Sequence, residues 1–152
     1  MKRKTIVIVA IVLLLALAGI SYYEYAKRAA LKSCQISLAS VSVKSLGLTS
    51  ATLEIKLRIY NPNSITATLD RAYYSLYAND VYLGDGTIPR KYDIPPGGTI
   101  TIATPFELSY SGALQTIWSY ITKGGNVTWR MKGTAYIDTS LGTLDIPFDI
   151  SL

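Results

Sequence analysis

From about residue 50 onward the chain repeats with a period of two. Leu53, Ile55, Leu57 and Ile59 alternate with Thr52, Glu54, Lys56 and Arg58, which predicts a strand with one face buried and one face wet. The alternation returns in Ile100, Ile102 and Phe106, in Val127, Trp129, Met131, Ala135 and Ile137, and in Leu144, Ile146, Phe148 and Ile150. Ile36 and Leu38 stand out of phase with Val41 and Val43, so a bulge is expected near Ala39. Residues 73–77 are strand-like with ambiguous faces. Ala78-Asn79-Asp80 and Gly84-Asp85-Gly86 are expected to bracket a short strand at residues 81–83, and Pro95-Pro96-Gly97-Gly98 and Leu141-Gly142 mark further reversals. One segment changes period. Leu114, Ile117, Trp118 and Ile121 fall at i, i+3, i+4 and i+7, with Ser111 placed to cap a short helix and Gly124 to close it. The pattern predicts a mostly β protein: an immunoglobulin/fibronectin-III-like β-sandwich of about seven strands with one short helix.

The first 32 residues obey neither period. Residues 5–22 carry no charge and are mostly Ile, Val, Leu and Ala; at ~1.5 Å per helical residue they span roughly 27 Å, near the ~30 Å of a bilayer's hydrocarbon. Two readings compete. A secretory signal would be cut after Ala16-Leu17-Ala18, whereas a retained transmembrane helix would run on through Ile20 to Tyr22, Tyr23 and Tyr25 at the lipid–water interface. The apolar residues beyond the cleavage site favour retention, and the helix is expected to continue over residues 24–31, with Glu24 and Arg28 at i,i+4. Lys2, Arg3, Lys4 and the free amine before the span, against Lys27, Arg28 and Lys32 after it, favour a cytoplasmic N-terminus by a slight excess. The expected organisation is an anchor over residues 1–32 and a folded domain over 33–152, outside the cytoplasm at the cell membrane.

Charge and chemistry narrow the function. The net charge of +5 belongs to the flanks of the apolar run, because nine basic and nine acidic residues remain in 33–152. The lipid bilayer is thus the expected partner of the positive charge, and nucleic acid is not expected. With no histidine, a histidine-based catalytic site is excluded. Glu54, Asp138, Asp145 and Asp149 fall on outward strand phases, which suits solvated faces rather than a hydrolytic pair. Asp80 and Asp85 near Asn79 lack the spacing of a calcium loop and read as turn residues. No cofactor, metal or catalytic residue is expected. Cys34, the only cysteine, reads as a free thiol or, being juxtamembrane, as an acylation site. Asn126-Val127-Thr128 is an N-glycosylation sequon near Gly124-Gly125. Of twelve tyrosines, Tyr73, Tyr74, Tyr77 and Tyr82 gather around one expected hairpin, serving either as core or as an adhesive patch.

Asn61-Pro62-Asn63 directly follows the long alternating strand, ahead of the tyrosine-rich strand and Gly84-Asp85-Gly86. Ile94-Pro95-Pro96-Gly97, the short helix, Gly133, Gly142 and Ile146-Pro147-Phe148 come after. In this order, over residues 36–151, the chain resembles the WHy (water stress and hypersensitive response) domain of the group-2 late embryogenesis abundant (LEA) proteins. The resemblance implies a seven-stranded sandwich with one helix, a place among stress-tolerance or cell-envelope proteins, and no catalytic residues. Pro62 would end its strand and the Asn61 and Asn63 amides would satisfy the bending backbone. The expected function is a membrane-anchored, non-enzymatic module that protects or binds envelope components under stress such as desiccation. The alternative is a small accessory subunit among membrane-protein subunits.

Overall fold

The computed structural model describes residues 2–110 and 114–152, with backbone only for residues 27–29. The chain divides into two compact units, Met1–Lys32 and Ser33–Leu152.

The first unit is helix α1 (Lys2–Ala29). With Ala, Leu, Ile and Val throughout and no internal proline, nothing in its sequence interrupts the hydrogen-bond ladder. Its large apolar residues, from Ile6 at 67% exposed to Ile20 at 61%, are exposed on every side of the helix. By length and composition it can cross a bilayer, as a spanning anchor or a signal sequence would. It ends at Ala29, two residues short of the expected Leu31, and the Glu24–Arg28 side-chain pair lies outside the described residues.

The second unit comprises β1 (Gln35–Leu46), β2 (Ser50–Tyr60), β3 (Ala67–Ala78), β4 (Val81–Ile88), β5 (Tyr92–Ile94), β6 (Thr99–Ser109), α2 (Leu114–Thr122), β7 (Trp129–Thr139) and β8 (Gly142–Ser151). Two antiparallel sheets form the mostly β sandwich that the alternation predicts. One runs β1-β2-β6; the other runs β4-β3-β7-β8, with β5 also pairing β3. Leu53, Ile55, Leu57 and Ile59 are each no more than 1% exposed and face a core shared with Leu69, Leu76, Ile102, Leu108, Met131 and Ile137. Ala39 is a bulge residue in β1, where the register skips between Leu38 and Ser40, and a second skip falls between Val43 and Ser45.

The chain changes sheet three times: through residues 61–66, through 95–98 and through α2. Gly124 closes α2 at φ 74, donating to the Ile121 carbonyl while Gly125 donates to that of Tyr120. The expected Ser111 cap lies outside the described residues.

One expectation about strands needs correction. Gly84-Asp85-Gly86 is no turn: β4 runs straight through it to Ile88, with Gly84 opposite Leu76 and Gly86 opposite Tyr74. Gly84 holds φ 144, a backbone conformation that side-chain-bearing residues rarely adopt, and Gly86 is there for space. A Cβ on Gly86 would collide with the Tyr74 ring, so the strand admits a core aromatic by dropping a side chain. The eight strands agree with the expected sandwich of about seven, the short one being three-residue β5, which pairs with the start of β3. Three residues are too few to show an alternation.

A tyrosine-lined outer face on the larger sheet

In β3 the side chains alternate strictly from Ala72 to Ala78, burying Ala72, Tyr74, Leu76 and Ala78 and turning Tyr73, Ser75 and Tyr77 outward. The tyrosine cluster therefore divides. Tyr74 is core, whereas Tyr73 and Tyr82 are about half exposed, at 51% and 50%. A register shift beside Asp70 then brings Arg71 opposite Tyr136 of β7.

Strand register sorts this outer face into rows. Asp85, Ser75, Lys132 and Asp149 form one row across β4, β3, β7 and β8; Thr87, Tyr73, Thr134 and Pro147 form the next. Arg71 and Tyr136 lie beyond them, and Tyr77 faces Tyr82 and Arg130 on the other side. The rings of Tyr73 and Tyr136 meet edge to face at 6.2 Å, and those of Tyr77 and Tyr82 at 5.7 Å. The Arg71 guanidinium sits 4.7 Å from the centre of the Tyr136 ring.

The charges are arranged in pairs. Arg130 grips Asp149 with two bonds of 2.7 Å, and Lys132 approaches the same carboxylate at 3.8 Å. Hydrogen bonding to Arg130 holds the Asp149 carboxyl below the usual carboxylate range and raises the arginine in turn. Asp85 accepts a 2.6 Å bond from the Ser75 hydroxyl, and its carboxylate beside Tyr82 pushes that phenol up.

Between the rows lies a depression of about 560 Å³, walled by Tyr73, Tyr136, Asp85 and Lys132 and floored by the chain at Gly86 and Gly133. A second, of about 450 Å³, adjoins it through Tyr73 and Thr87 and extends to Arg71 and Lys91. Among the described residues no three acidic or cysteine side chains gather as metal ligands would.

The residues of the sequence motif lie elsewhere and knit the framework. Asn61 is fully buried. Its amide nitrogen donates to the carbonyls of Ile65 at 2.8 Å, Ile94 at 3.0 Å and Pro95 at 3.3 Å, while its oxygen accepts from the backbone and amide nitrogens of Asn63. Asn61 thus staples two of the sheet crossings together, with Pro62 between the two amides. Gly133 borders the outer depression, but its missing Cβ would collide with the Tyr73 carbonyl and the Phe148 ring. Pro147 sits on edge strand β8, where a residue without an N–H is tolerated. Asn126 is exposed between α2 and β7. Lys2, Arg3, Lys4, Tyr22 and Tyr23 are exposed on α1. Cys34 is enclosed in the core, 3% exposed, and burial pushes its thiol up. Enclosure suits the free-thiol reading. Arg71, Lys132 and Tyr136 were not singled out by sequence. Lys132 and Tyr136 fall on the outward phase of the alternation over residues 127–137, whereas no phase is legible for Arg71, and no local signal gives the neighbours of any of the three.

The two sheets and the tyrosine-lined outer face define a small β-sandwich module. A family model described as Late embryogenesis abundant protein (LEA_2) matches residues 56–152, more than half of the sequence, and the chain belongs to that family. The match starts within β2, later than the expected residue 36. The solution structure of AT1g01470 from Arabidopsis thaliana is similar at TM-score 0.62 and 18% identity, covering 80% of this chain and 83% of that one. That of At2g46140.1, described as a late embryogenesis abundant (LEA) protein, is similar at TM-score 0.58 and 19% identity, covering 94% and 82%. At such identities the likeness shows the fold. No curated protein sequence matches significantly.

Proposed function

We propose that this chain is a membrane-tethered, non-enzymatic module of the WHy, group-2 type, which works by binding at the cell envelope and protects it under stress. The single observation that carries the tether is α1, apolar and exposed on all sides, with Lys2, Arg3 and Lys4 at its head. The outer face of the larger sheet, with ordered tyrosines and paired charges, supplies the binding surface. Alkaline carbonate extraction followed by N-terminal sequencing tests the tether. Retention in the pellet with the apolar segment intact supports it; a mature protein starting at Gly19 ends it. Protease protection in sealed vesicles tests whether the sandwich lies outside the cytoplasm, and an intact-mass increase at Asn126 would agree with that topology.

A second reading, an accessory subunit of a membrane complex, draws on the β1–β2 hairpin. Leu48 at its tip is fully exposed and Leu46 is 66% exposed, apolar surface that a neighbouring subunit could cover. Migration near the monomer after mild detergent extraction favours the tethered module; a larger complex favours the subunit.

A further inference from the structure

We propose that the paired depressions on the outer face of the larger sheet are a binding site for a neutral oligosaccharide, with Tyr73 as the stacking platform at their junction. This inference rests on the outer face being the binding surface, and names its ligand class.

Shape comes first. The two depressions, about 560 and 450 Å³, share Tyr73 and Thr87, so the ring borders both of two adjoining open depressions rather than the mouth of a single closed cavity. A linear ligand of two or more similar units fits such a pair better than one small molecule. Tyr73 meets Tyr136 edge to face, which fixes the ring while leaving it half exposed. Tyr136 itself is occupied by Arg71, so Tyr73 is the free aromatic surface of the pair. A pyranose offers a patch of C–H bonds on one face that stacks on such a ring, and hydroxyls around its edge.

The polar groups stand where those hydroxyls would reach. Same-face neighbours along a strand are roughly 6.6–6.8 Å apart, and adjacent strands ~4.8 Å. The row Asp85, Ser75 and Lys132 therefore runs beside a sugar stacked on Tyr73, while Thr87 and Thr134 flank the ring in its own row. The set mixes donors and acceptors, as a hydroxyl, itself both, requires. Ser75 already orients the Asp85 carboxylate by its 2.6 Å bond.

Charge decides against other polymers. Acids and bases stand together along the two depressions, with Asp70 paired to Arg71 at 2.8 Å and to Lys91 at 3.3 Å, and Lys132 near Asp149. A polyanion or polycation would have to break these pairs, whereas a neutral chain leaves them intact.

The test uses the full chain, isotope-labelled and reconstituted in lipid nanodiscs. It is titrated with cellohexaose, xylohexaose, mannohexaose and chitohexaose, then with polyglutamate and polylysine, while amide and tyrosine-ring resonances are followed. At least one neutral hexasaccharide is expected to shift Tyr73, Thr87 and Lys132. Tyr73→Ala should weaken that binding roughly tenfold or more, about the loss of one stacking contact. Tyr73→Phe should retain it, Asp85→Asn should weaken it, and Tyr60→Ala on the other sheet should leave it unchanged. Thermal melts of each variant separate lost binding from lost fold. Saccharide binding that survives Tyr73→Ala in a folded protein overturns the inference. If only the charged polymers shift these residues, the glycan assignment fails and the binding face stands. If no probe shifts them, both fail.

Discussion

At the scale of single residues, the side chain on which most of the connectivity converges is Asn61. Its amide serves three backbone carbonyls from two separate crossings. Asn61→Ala would strand those carbonyls in the interior, and we expect a loss of about 3 kcal/mol in urea unfolding followed by near-ultraviolet circular dichroism. Asn61→Asp should do no better, since it removes the donors and buries a charge. Tyr74 makes the opposite case. Its hydroxyl is buried and makes no hydrogen bond, with Thr104 the polar group facing it, and burial pushes the phenol up. Tyr74→Phe is therefore expected to leave stability unchanged or raise it by about 1 kcal/mol. Glycine substitutions should divide in the same way. Gly133→Ala drives a methyl into the Tyr73 carbonyl and should cost about 2 kcal/mol or more in the same assay. Gly124→Ala meets open space and should cost about 1 kcal/mol, from its positive φ alone. The structural part of Asn61-Pro62-Asn63 was legible because asparagine and proline act on the backbone within a few residues. The Tyr74 and Gly86 partnership was not, because nothing in Gly84-Asp85-Gly86 itself announces a ring from the neighbouring strand.

At the scale of elements, local periodicity sufficed wherever an element was long. β2 and α2 could be read from their spacing, as could the Ala39 bulge, because a phase slip in an alternating strand has few other causes. β4 was misread because glycine is both a turn former and a space maker, and only the packing decides between them. The outer face shows the same boundary. The outward phase of Tyr73 could be inferred once β3 was in register, but its company could not. Tyr136 and Lys132 arrive from β7, more than fifty residues along the chain, by a pairing that no local signal encodes. The Arg130–Asp149 link between β7 and β8 gives a pH prediction. Asp149 has a depressed carboxyl, so its contribution is present above about pH 3.9, the unfolded range, and fades as pH falls through the lower folded value. Tyr74 is raised, so its contribution holds below about pH 10 and is lost as pH climbs through the higher folded value. The buried Cys34 thiol is raised as well, so its contribution begins to be lost above about pH 8.5; with no histidine titrating below that, melting temperature should be nearly flat from about pH 5 to 8. Asp149→Asn should weaken the acid-side dependence, and Tyr74→Phe the alkaline one.

At the scale of the whole molecule, the sequence holds two kinds of solvent preference. Residues 2–26 place apolar side chains outward on every side, whereas the sandwich strands place them inward on every other position. Deleting the first 32 residues is expected to release the protein from the carbonate-insoluble fraction without changing the sandwich's near-ultraviolet signal; a product that stays in the pellet would point to a second attachment. The family match covers the sandwich from Lys56 onward and leaves the helix and β1 outside it. Membership therefore accounts for the fold, while the tether is argued from the helix itself.

β1 is an edge strand bonded to β2 alone, and its first pair, Gln35 with Tyr60, lies directly after the segment that joins α1. That placement has a mechanical meaning. If the tether is pulled along the strand while the opposite sheet is held, the load falls on the ten β1–β2 pairs together, in shear. Pulled sideways, the same ladder would unzip one rung at a time from Gln35. The module would then grip hardest when tension runs along its own strands.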